Sequence, residues 1–118
     1  MLKLGEETKV YLSLTRIDMR CGIFSLSSRV EEVFGKDSKD GNLYVFVSRD
    51  KKKVKIINWE EDGYWLHYKR LAVGTFQMKL TNGVEEITGV DLSKLLSGIS
   101  LSKIKLSKKV KSKLVKSN

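Results

Sequence analysis

The sequence predicts an α+β fold in which an antiparallel sheet, a meander of three or more strands, packs with two helices and precedes a basic C-terminal tail. Three compact apolar runs separated by short polar turns predict the meander, at residues 43–47, 54–59 and 64–69. Apolar residues spaced by three or four positions predict the helices. We therefore expect one α+β domain over residues 1–98 and a Lys-rich tail over 99–118, as a frayed helix or disordered.

The first strand is predicted at residues 10–14, where strand-forming residues partly alternate. A helix is predicted over residues 19–34, and its apolar stripe is formed by Ile23, Leu26, Val30, Val33 and Phe34. Asp18 is placed to accept hydrogen bonds from the free amides of the first turn. Gly35 follows the stripe, where a left-handed residue commonly ends a helix.

Short turns connect the three strands of the meander, so no crossover helix is needed and the strands are expected to be antiparallel. The first turn, residues 49–53, contains only charged residues. The second contains Asp62-Gly63, which is typical of hairpins because glycine adopts a positive φ without steric cost. Residues 75–80 alternate and are predicted to add a short edge strand.

The second helix is predicted to begin after Thr88. Thr88 and Asp91 have the spacing of a capping box, in which the two side chains bond reciprocally to backbone amides. The apolar residues that follow are spaced for one inner face, and they are Leu92, Leu95, Leu96 and Ile99.

Composition limits the class of protein. No apolar run approaches the ~20 residues that span a bilayer, and the N-terminus turns acidic where a signal peptide needs an apolar stretch. Cys21 is the only cysteine, so an internal disulfide and a thiolate metal cluster are excluded. We expect a cytoplasmic protein that does not use the membrane. Attachment of the basic tail to anionic lipid ranks last, because the tail lacks an aromatic anchor.

Positive charge is concentrated in the tail. The net charge is +9, and residues 99–118 contribute seven lysines and no acidic residue. Without that segment, 16 basic residues face 14 acidic ones, so the body is nearly neutral. A basic arm of this kind attracts polyanions whatever the body does.

Catalytic chemistry has little support in the sequence. His67 is the only histidine and lies inside a predicted strand, where a surface or packing role is more common than general-base catalysis. Cys21 is better explained as a small packing residue than as a nucleophile. The acidic cluster 60–62 fits a solvated turn better than a magnesium site. We expect no catalytic residues, no metal ligands and no cofactor.

Nucleic-acid binding has more support. Basic residues gather on one hairpin and in the tail, and aromatic residues are interleaved in the same sheet, an arrangement that holds single strands. The alternative is that the aromatic residues build the core while the lysines are solvated. The candidate residues in the hairpin and tail are Arg49, Lys51, Lys52, Lys53, Lys55, Lys69, Arg70, Lys103, Lys105, Lys108 and Lys109.

An ordered succession of segments resembles a known family. These segments are Val10-Tyr11-Leu12, Asp18-Met19-Arg20-Cys21-Gly22-Ile23, residues 42–46, residues 54–59, Asp62-Gly63-Tyr64-Trp65-Leu66-His67-Tyr68-Lys69-Arg70-Leu71, Gly74-Thr75-Phe76 and residues 87–99. Over about residues 8–100 the chain resembles the TnpB-type small accessory protein of the insertion-sequence-sixty-six family of bacterial transposons. It departs from the family pattern at Cys21, usually a basic position, and in having no proline.

The resemblance implies a non-catalytic protein encoded beside a separate DDE-type transposase and needed for efficient transposition. It shares only a name with the RNA-guided nucleases called TnpB. Asp18, Arg20 and Gly22 fall on the family's Asp-Met-Arg-x-Gly motif, and Arg20 is a further candidate for contact with a phosphate or a partner's acid. Arg49, Lys55, Lys69 and Arg70 occupy positions that are basic in the pattern as well.

Two functions remain open at this point. The first is an accessory factor that binds DNA weakly, with little sequence preference and strong salt dependence. The second is a protein adaptor that recruits or bridges the transposase through an apolar patch without contacting DNA. The sequence does not decide the oligomeric state.

Overall fold

The computed structural model describes residues 5–79 and 81–98, so the predicted tail over 99–118 lies outside the described residues. The fold is α+β, as predicted, but the sheet is mixed rather than purely antiparallel. Its strands are β1 Val10–Ser13, β2 Leu43–Val47, β3 Lys53–Glu60, β4 Gly63–Arg70 and β5 Val84–Ile87. The helices are α1 Ile23–Arg29, continued by a π-helical turn Val30–Phe34, and α2 Gly89–Leu96. The strand order is β4-β3-β2-β1-β5.

β1 and β2 are parallel, which corrects the expectation of an antiparallel sheet. Val10 pairs with Leu43, and Leu12 pairs with Val45. The connection between them contains α1, and a crossover of this kind is what parallel neighbours require. As a consequence, the carboxyl ends of β1 and β2 lie side by side at the same end of the sheet.

The antiparallel meander β2-β3-β4 is confirmed. The tight turn at residues 61–62 has a different geometry from the predicted one. Glu60 pairs with Gly63, so the two loop residues are Glu61 and Asp62. The positive φ, 57°, belongs to Glu61 and not to the glycine. Gly63 is already the first residue of β4.

The predicted edge strand at 75–80 is wrong, since none of residues 75–79 is in a strand. The alternation there nonetheless reports burial correctly, because Phe76 and Met78 are buried while Gln77 and Lys79 are exposed. The fifth strand is β5, which pairs antiparallel with the outer edge of β1.

The first helix begins later than predicted. Gly22 is the N-cap of α1, and the Asp18 side chain does not cap this helix as predicted. Gly35 ends the π-helical turn with φ 64°, as predicted for a left-handed cap. The buried residues Leu26, Val30 and Phe34 are four apart, a spacing that drifts around a regular helix of 3.6 residues per turn. The wider π turn brings Phe34 back over the sheet.

The capping box of α2 is confirmed. The Thr88 hydroxyl accepts a hydrogen bond from the Asp91 amide at 3.0 Å, and the Asp91 carboxylate accepts one from the Thr88 amide at 3.2 Å. Leu92 and Leu95 are buried against the sheet, and Leu96 is partly buried beside them.

Both faces of the sheet are covered. The α1 face is the side on which α1 packs, and its buried residues are Tyr11, Ile17, Leu26, Val30, Phe34, Tyr44, Phe46 and Ile57. The α2 face carries α2 and the segment 75–79, over the buried residues Val10, Leu12, Leu43, Val45, Val47, Val54, Ile56 and Ile87. β4 is the outer strand at one edge, and β5 is the outer strand at the other.

Candidate nucleic-acid interface

An open cleft of about 780 Å³ lies at the end of the sheet formed by the carboxyl ends of β1 and β2. The loop after β1, the turn between β2 and β3, the first residue of β3 and one residue of β4 form its walls. The lining residues are Arg16, Ile17, Asp18, Met19, Arg20, Ser48, Arg49, Asp50, Lys53 and Tyr68. The two loops touch through a parallel bridge between Ile17 and Ser48. The loops that follow neighbouring parallel strands are a recurrent position for ligand sites in sheets.

Asp50 organises the turn between β2 and β3. Its carboxylate accepts hydrogen bonds from the Ser48 hydroxyl at 2.6 Å and from the Lys52 amide at 3.0 Å. The Lys53 ammonium forms an ion pair with it at 3.2 Å. These donors hold the pKa of Asp50 well below its usual range, and the Ser48 hydroxyl has the largest effect. The turn is therefore ordered by an ionised carboxylate, and Lys53 is partly neutralised.

Asp18 plays the corresponding part in the loop after β1. Its carboxylate accepts hydrogen bonds from the Arg20 amide at 2.9 Å and from the Arg20 guanidinium at 2.8–3.1 Å. The Arg20 side chain is the main cause of a lowered Asp18 pKa, about 2. The Arg20 side chain is 92% exposed, so the guanidinium lies at the surface while it is paired with Asp18.

Lys55 supports the cleft from beneath. Its ammonium donates hydrogen bonds to the carbonyls of Met19 at 2.7 Å and Cys21 at 2.8 Å, which fixes the loop before α1. It also lies 5.4 Å from the centre of the Tyr68 ring. Cys21 is partly buried against the core of the α1 face, a packing position. Lys55 is thus committed to backbone carbonyls and to an aromatic ring.

Two guanidinium groups of the cleft remain uncommitted. Across residues 5–79 and 81–98, the side chains of Arg16 and Arg49 make no hydrogen bond or ion pair. Tyr68 lines the same cleft and is 53% exposed. The two acids of the cleft are already paired, by Arg20 and Lys53, so the surplus charge is positive.

Apart from Lys55, the candidates named from the sequence divide into four groups. Arg20, Arg49 and Lys53 line the cleft. Lys51 and Lys52 lie on the adjoining turn, and Arg70 lies opposite Lys53 on β4. Lys69 is on the α2 face, where its ammonium donates to the Leu96 carbonyl at 2.8 Å and so caps the end of α2. The tail candidates Lys103, Lys105, Lys108 and Lys109 lie outside the described residues.

Arg16 was missed by the sequence analysis. The signal was a lone arginine two residues before Asp18 in the loop after β1. Arg16 could be placed beside Arg49 only if β1 and β2 were known to be parallel. Only then do the loop after β1 and the turn after β2 lie at the same end of the sheet.

The aromatic residues of the sheet are mostly packing residues. Tyr44 is fully buried; burial and its hydrogen bond to Asp40 raise the pKa of its hydroxyl. Trp59 and Tyr64 pack edge-to-face at 4.9 Å. Trp65 and Tyr68 differ, since each is about half exposed, on opposite faces of β4.

His67 lies on the α2 face, away from the cleft. Its Nε2 is 3.3 Å from the Asn58 side-chain oxygen, and burial lowers its pKa. Among the described residues, no three His, Cys, Asp or Glu side chains are grouped closely enough to hold a metal ion. Within the same residues, no helix is long and apolar enough to cross a membrane.

Comparison with known proteins places the chain in a family. The model of the family described as IS66 Orf2 like protein matches residues 8–106. The uncharacterized protein y4hO of Sinorhizobium fredii (strain NBRC 101917 / NGR234) is 40% identical over 100 residues, which cover 84% of this chain and 87% of that protein. No solved structure matches. The chain belongs to the IS66 Orf2 like protein family and is a transposition-associated accessory protein.

Proposed function

We propose that this accessory protein binds nucleic acid through the cleft formed by Arg16, Arg20, Arg49, Lys53 and Tyr68. The single observation that carries the proposal is the pair of uncommitted guanidinium groups, Arg16 and Arg49, beside a half-exposed tyrosine ring. Guanidinium groups contact phosphates bidentately, and an exposed ring offers a stacking surface to any unpaired base. This combination favours single-stranded segments and gives little sequence preference.

The surrounding charges support the same function. Lys51, Lys52 and Arg70 extend the positive surface beyond the cleft. The lysines of residues 99–118 add a second basic segment, which would increase affinity for any polyanion without reading its sequence. Lys55 and Lys69 contribute less, because their ammonium groups already donate to backbone carbonyls.

The test is binding of the full chain to a labelled single-stranded oligonucleotide and to a duplex of equal length, measured by fluorescence anisotropy across a salt series. We expect Arg16→Gln/Arg49→Gln to weaken single-strand binding by about tenfold and to reduce the salt slope by about 1.4, because each lost phosphate contact removes about 0.7. Tyr68→Ala should weaken single-strand binding by about tenfold and leave duplex binding nearly unchanged.

Lys9→Gln is the matched control. Lys9 is exposed and precedes β1, at the opposite end of that strand from the cleft. Its loss removes one positive charge and should change affinity by less than about twofold. Equal effects of Lys9→Gln and of either cleft substitution would refute a defined site and leave only general attraction by net charge.

The rival function is a protein adaptor that recruits or bridges the DDE-type transposase without touching DNA. It predicts no nucleic-acid binding even at low salt, and recruitment of the transposase that salt does not weaken. A pull-down of the purified transposase by the full chain, with and without Arg16→Gln/Arg49→Gln, separates the two. Retained recruitment with no oligonucleotide binding would favour the adaptor.

A further inference from the structure

We propose that the protein forms a symmetric dimer in which β4 pairs antiparallel with β4 of a second copy, so that two sheets become one. The proposal concerns the outer edge of β4 and does not depend on nucleic-acid binding.

The two edge strands differ in how they resist further pairing. Natural sheets protect their edges with short strands, charges, prolines or bulges. β5 has four residues, and two of them are glutamates. β4 has eight residues, pairs with β3 without a bulge, contains no proline and carries its charges, Lys69 and Arg70, only at its last two positions. Within residues 5–79 and 81–98, no backbone hydrogen bond reaches the outer side of β4. A long, regular and uncovered edge is a pairing surface.

The register of the hairpin identifies the groups available for pairing. Glu60 and Gly63 close the two-residue turn, and the Leu71 amide donates to the Lys52 carbonyl. Odd-numbered residues of β4 therefore direct their amides and carbonyls toward β3. The backbone groups of Tyr64, Leu66 and Tyr68 point outward, away from the sheet.

Charge complementarity selects a second copy as the partner. The β3-β4 hairpin is acidic at its turn, with Glu60, Glu61 and Asp62, and basic where β4 ends, with Lys69 and Arg70. Antiparallel pairing of two such strands places the basic end of each beside the acidic turn of the other. Opposite charges then meet at both ends of the interface, which fixes the orientation.

One register satisfies backbone and side chains together. With Leu66 facing Leu66 of the second copy, Tyr64 faces Tyr68 of the second copy in a hydrogen-bonded pair. On the other face, Trp65 meets His67 of the second copy and extends the Trp65–His67 stack within one chain, whose ring centres are 6.2 Å apart. Trp65, which is about half exposed, would be covered. Arg70 falls beside Asp62 of the second copy.

The experiment measures the mass of the full chain by sedimentation equilibrium over a range of concentrations. We expect a reversible dimer of twice the 13.5 kDa chain mass. Arg70→Glu, and separately Glu61→Lys/Asp62→Lys, should each weaken self-association by at least about tenfold, because like charges then face each other. An equimolar mixture of these two variants should associate again as a heterodimer. Lys9→Glu, the same reversal far from β4, should leave the dimer unchanged.

Amide exchange by NMR tests the strand itself. The amides of Tyr64, Leu66 and Tyr68 should become protected as concentration rises, while that of His67, bonded to β3, is protected throughout. A monomeric mass at all concentrations overturns the proposal. So does protection of the outward amides that is independent of concentration, since another part of the same chain would then cover the edge. Failure of the two charge variants to associate with each other overturns the antiparallel orientation.

Discussion

Lys55 provides the sharpest test of how the cleft is built, because its ammonium is a support rather than a free cation. Lys55→Met keeps most of the aliphatic stem and removes the charge. Two hydrogen bonds are lost, to the Met19 and Cys21 carbonyls at 2.7 and 2.8 Å. A hydrogen bond to a charged group contributes about 1.5–3 kcal/mol, and Lys55 is only half-buried, so the lower figure applies to each. We expect the free energy of unfolding to fall by about 2–3 kcal/mol.

Urea unfolding followed by tryptophan fluorescence measures this loss. The midpoint should shift while the denaturant slope stays constant, because the surface exposed on unfolding is unchanged. Lys52→Met is the control: that side chain is exposed and unbonded among the described residues, so the change should stay within about 0.5 kcal/mol. Equal unfolding free energies for Lys55→Met and Lys52→Met would refute the supporting role. The salt slope of oligonucleotide binding should not change in Lys55→Met, since Lys55 offers no free charge to phosphate.

Three further predictions concern local features of the fold, and urea unfolding measures each. Thr88→Ala removes half of the α2 capping box and should cost about 1–2 kcal/mol; no loss would contradict a role for the cap. Glu61→Gly relieves a side chain held at φ 57° and should stabilise the protein by up to about 1 kcal/mol, whereas a loss would show that the Glu61 side chain matters more than its backbone. The pKa of Asp18, about 2, lies below its usual 3.8, so its contribution is complete above about pH 4 and is lost as pH falls toward 2. Burial lowers the pKa of His67, so stability should also fall as pH drops below about 6.5. Asp18→Asn and His67→Gln should each flatten their own part of the pH profile, and an unchanged profile would contradict the corresponding shift.

The local features of the fold could be predicted from the sequence because short-range chemistry determines them. The meander follows from turns too short for any other connection, and the α2 cap follows from the Thr88–Asp91 spacing. The end of the first helix followed from Gly35. The start did not, because Asp18 bonds to Arg20, two residues on, instead of capping a helix. A short polar side chain satisfies either arrangement, and the sequence alone does not choose between them.

The features that could not be predicted depend on long-range pairing. Nothing in residues 10–13 indicates that β1 lies parallel to β2, since the same pattern fits either direction. Residues 84–87 contain two glutamates and lack the alternation that residues 75–80 display, yet they form β5. The position of the fifth strand is decided by the free edge of β1, which can pair with only one strand. Prediction of the cleft is limited for the same reason, because its two loops meet through long-range pairing. Arg49 lies on a local turn and was named from the sequence, whereas Arg16 was not.

The proposed dimer and the proposed nucleic-acid site lead together to one last prediction. Pairing β4 with β4 around Leu66 keeps even-numbered residues opposite even-numbered ones, so the α1 faces of the two copies lie on the same side. Each copy has its cleft on that side, at opposite ends of the joined strands. A long single strand could therefore occupy both clefts, whereas a short one reaches only one.

This arrangement predicts a length dependence that is reduced when the two copies are separated. An oligonucleotide of about 24 nucleotides should bind more than about tenfold tighter than one of about 8, because its second contact is intramolecular. Glu61→Lys/Asp62→Lys should reduce that advantage although it adds positive charge, since it separates the two copies and leaves each cleft intact. Anisotropy titrations with both lengths measure the effect. If the variant instead binds the long strand more tightly in proportion to its charge, affinity follows net charge and the two clefts do not act together.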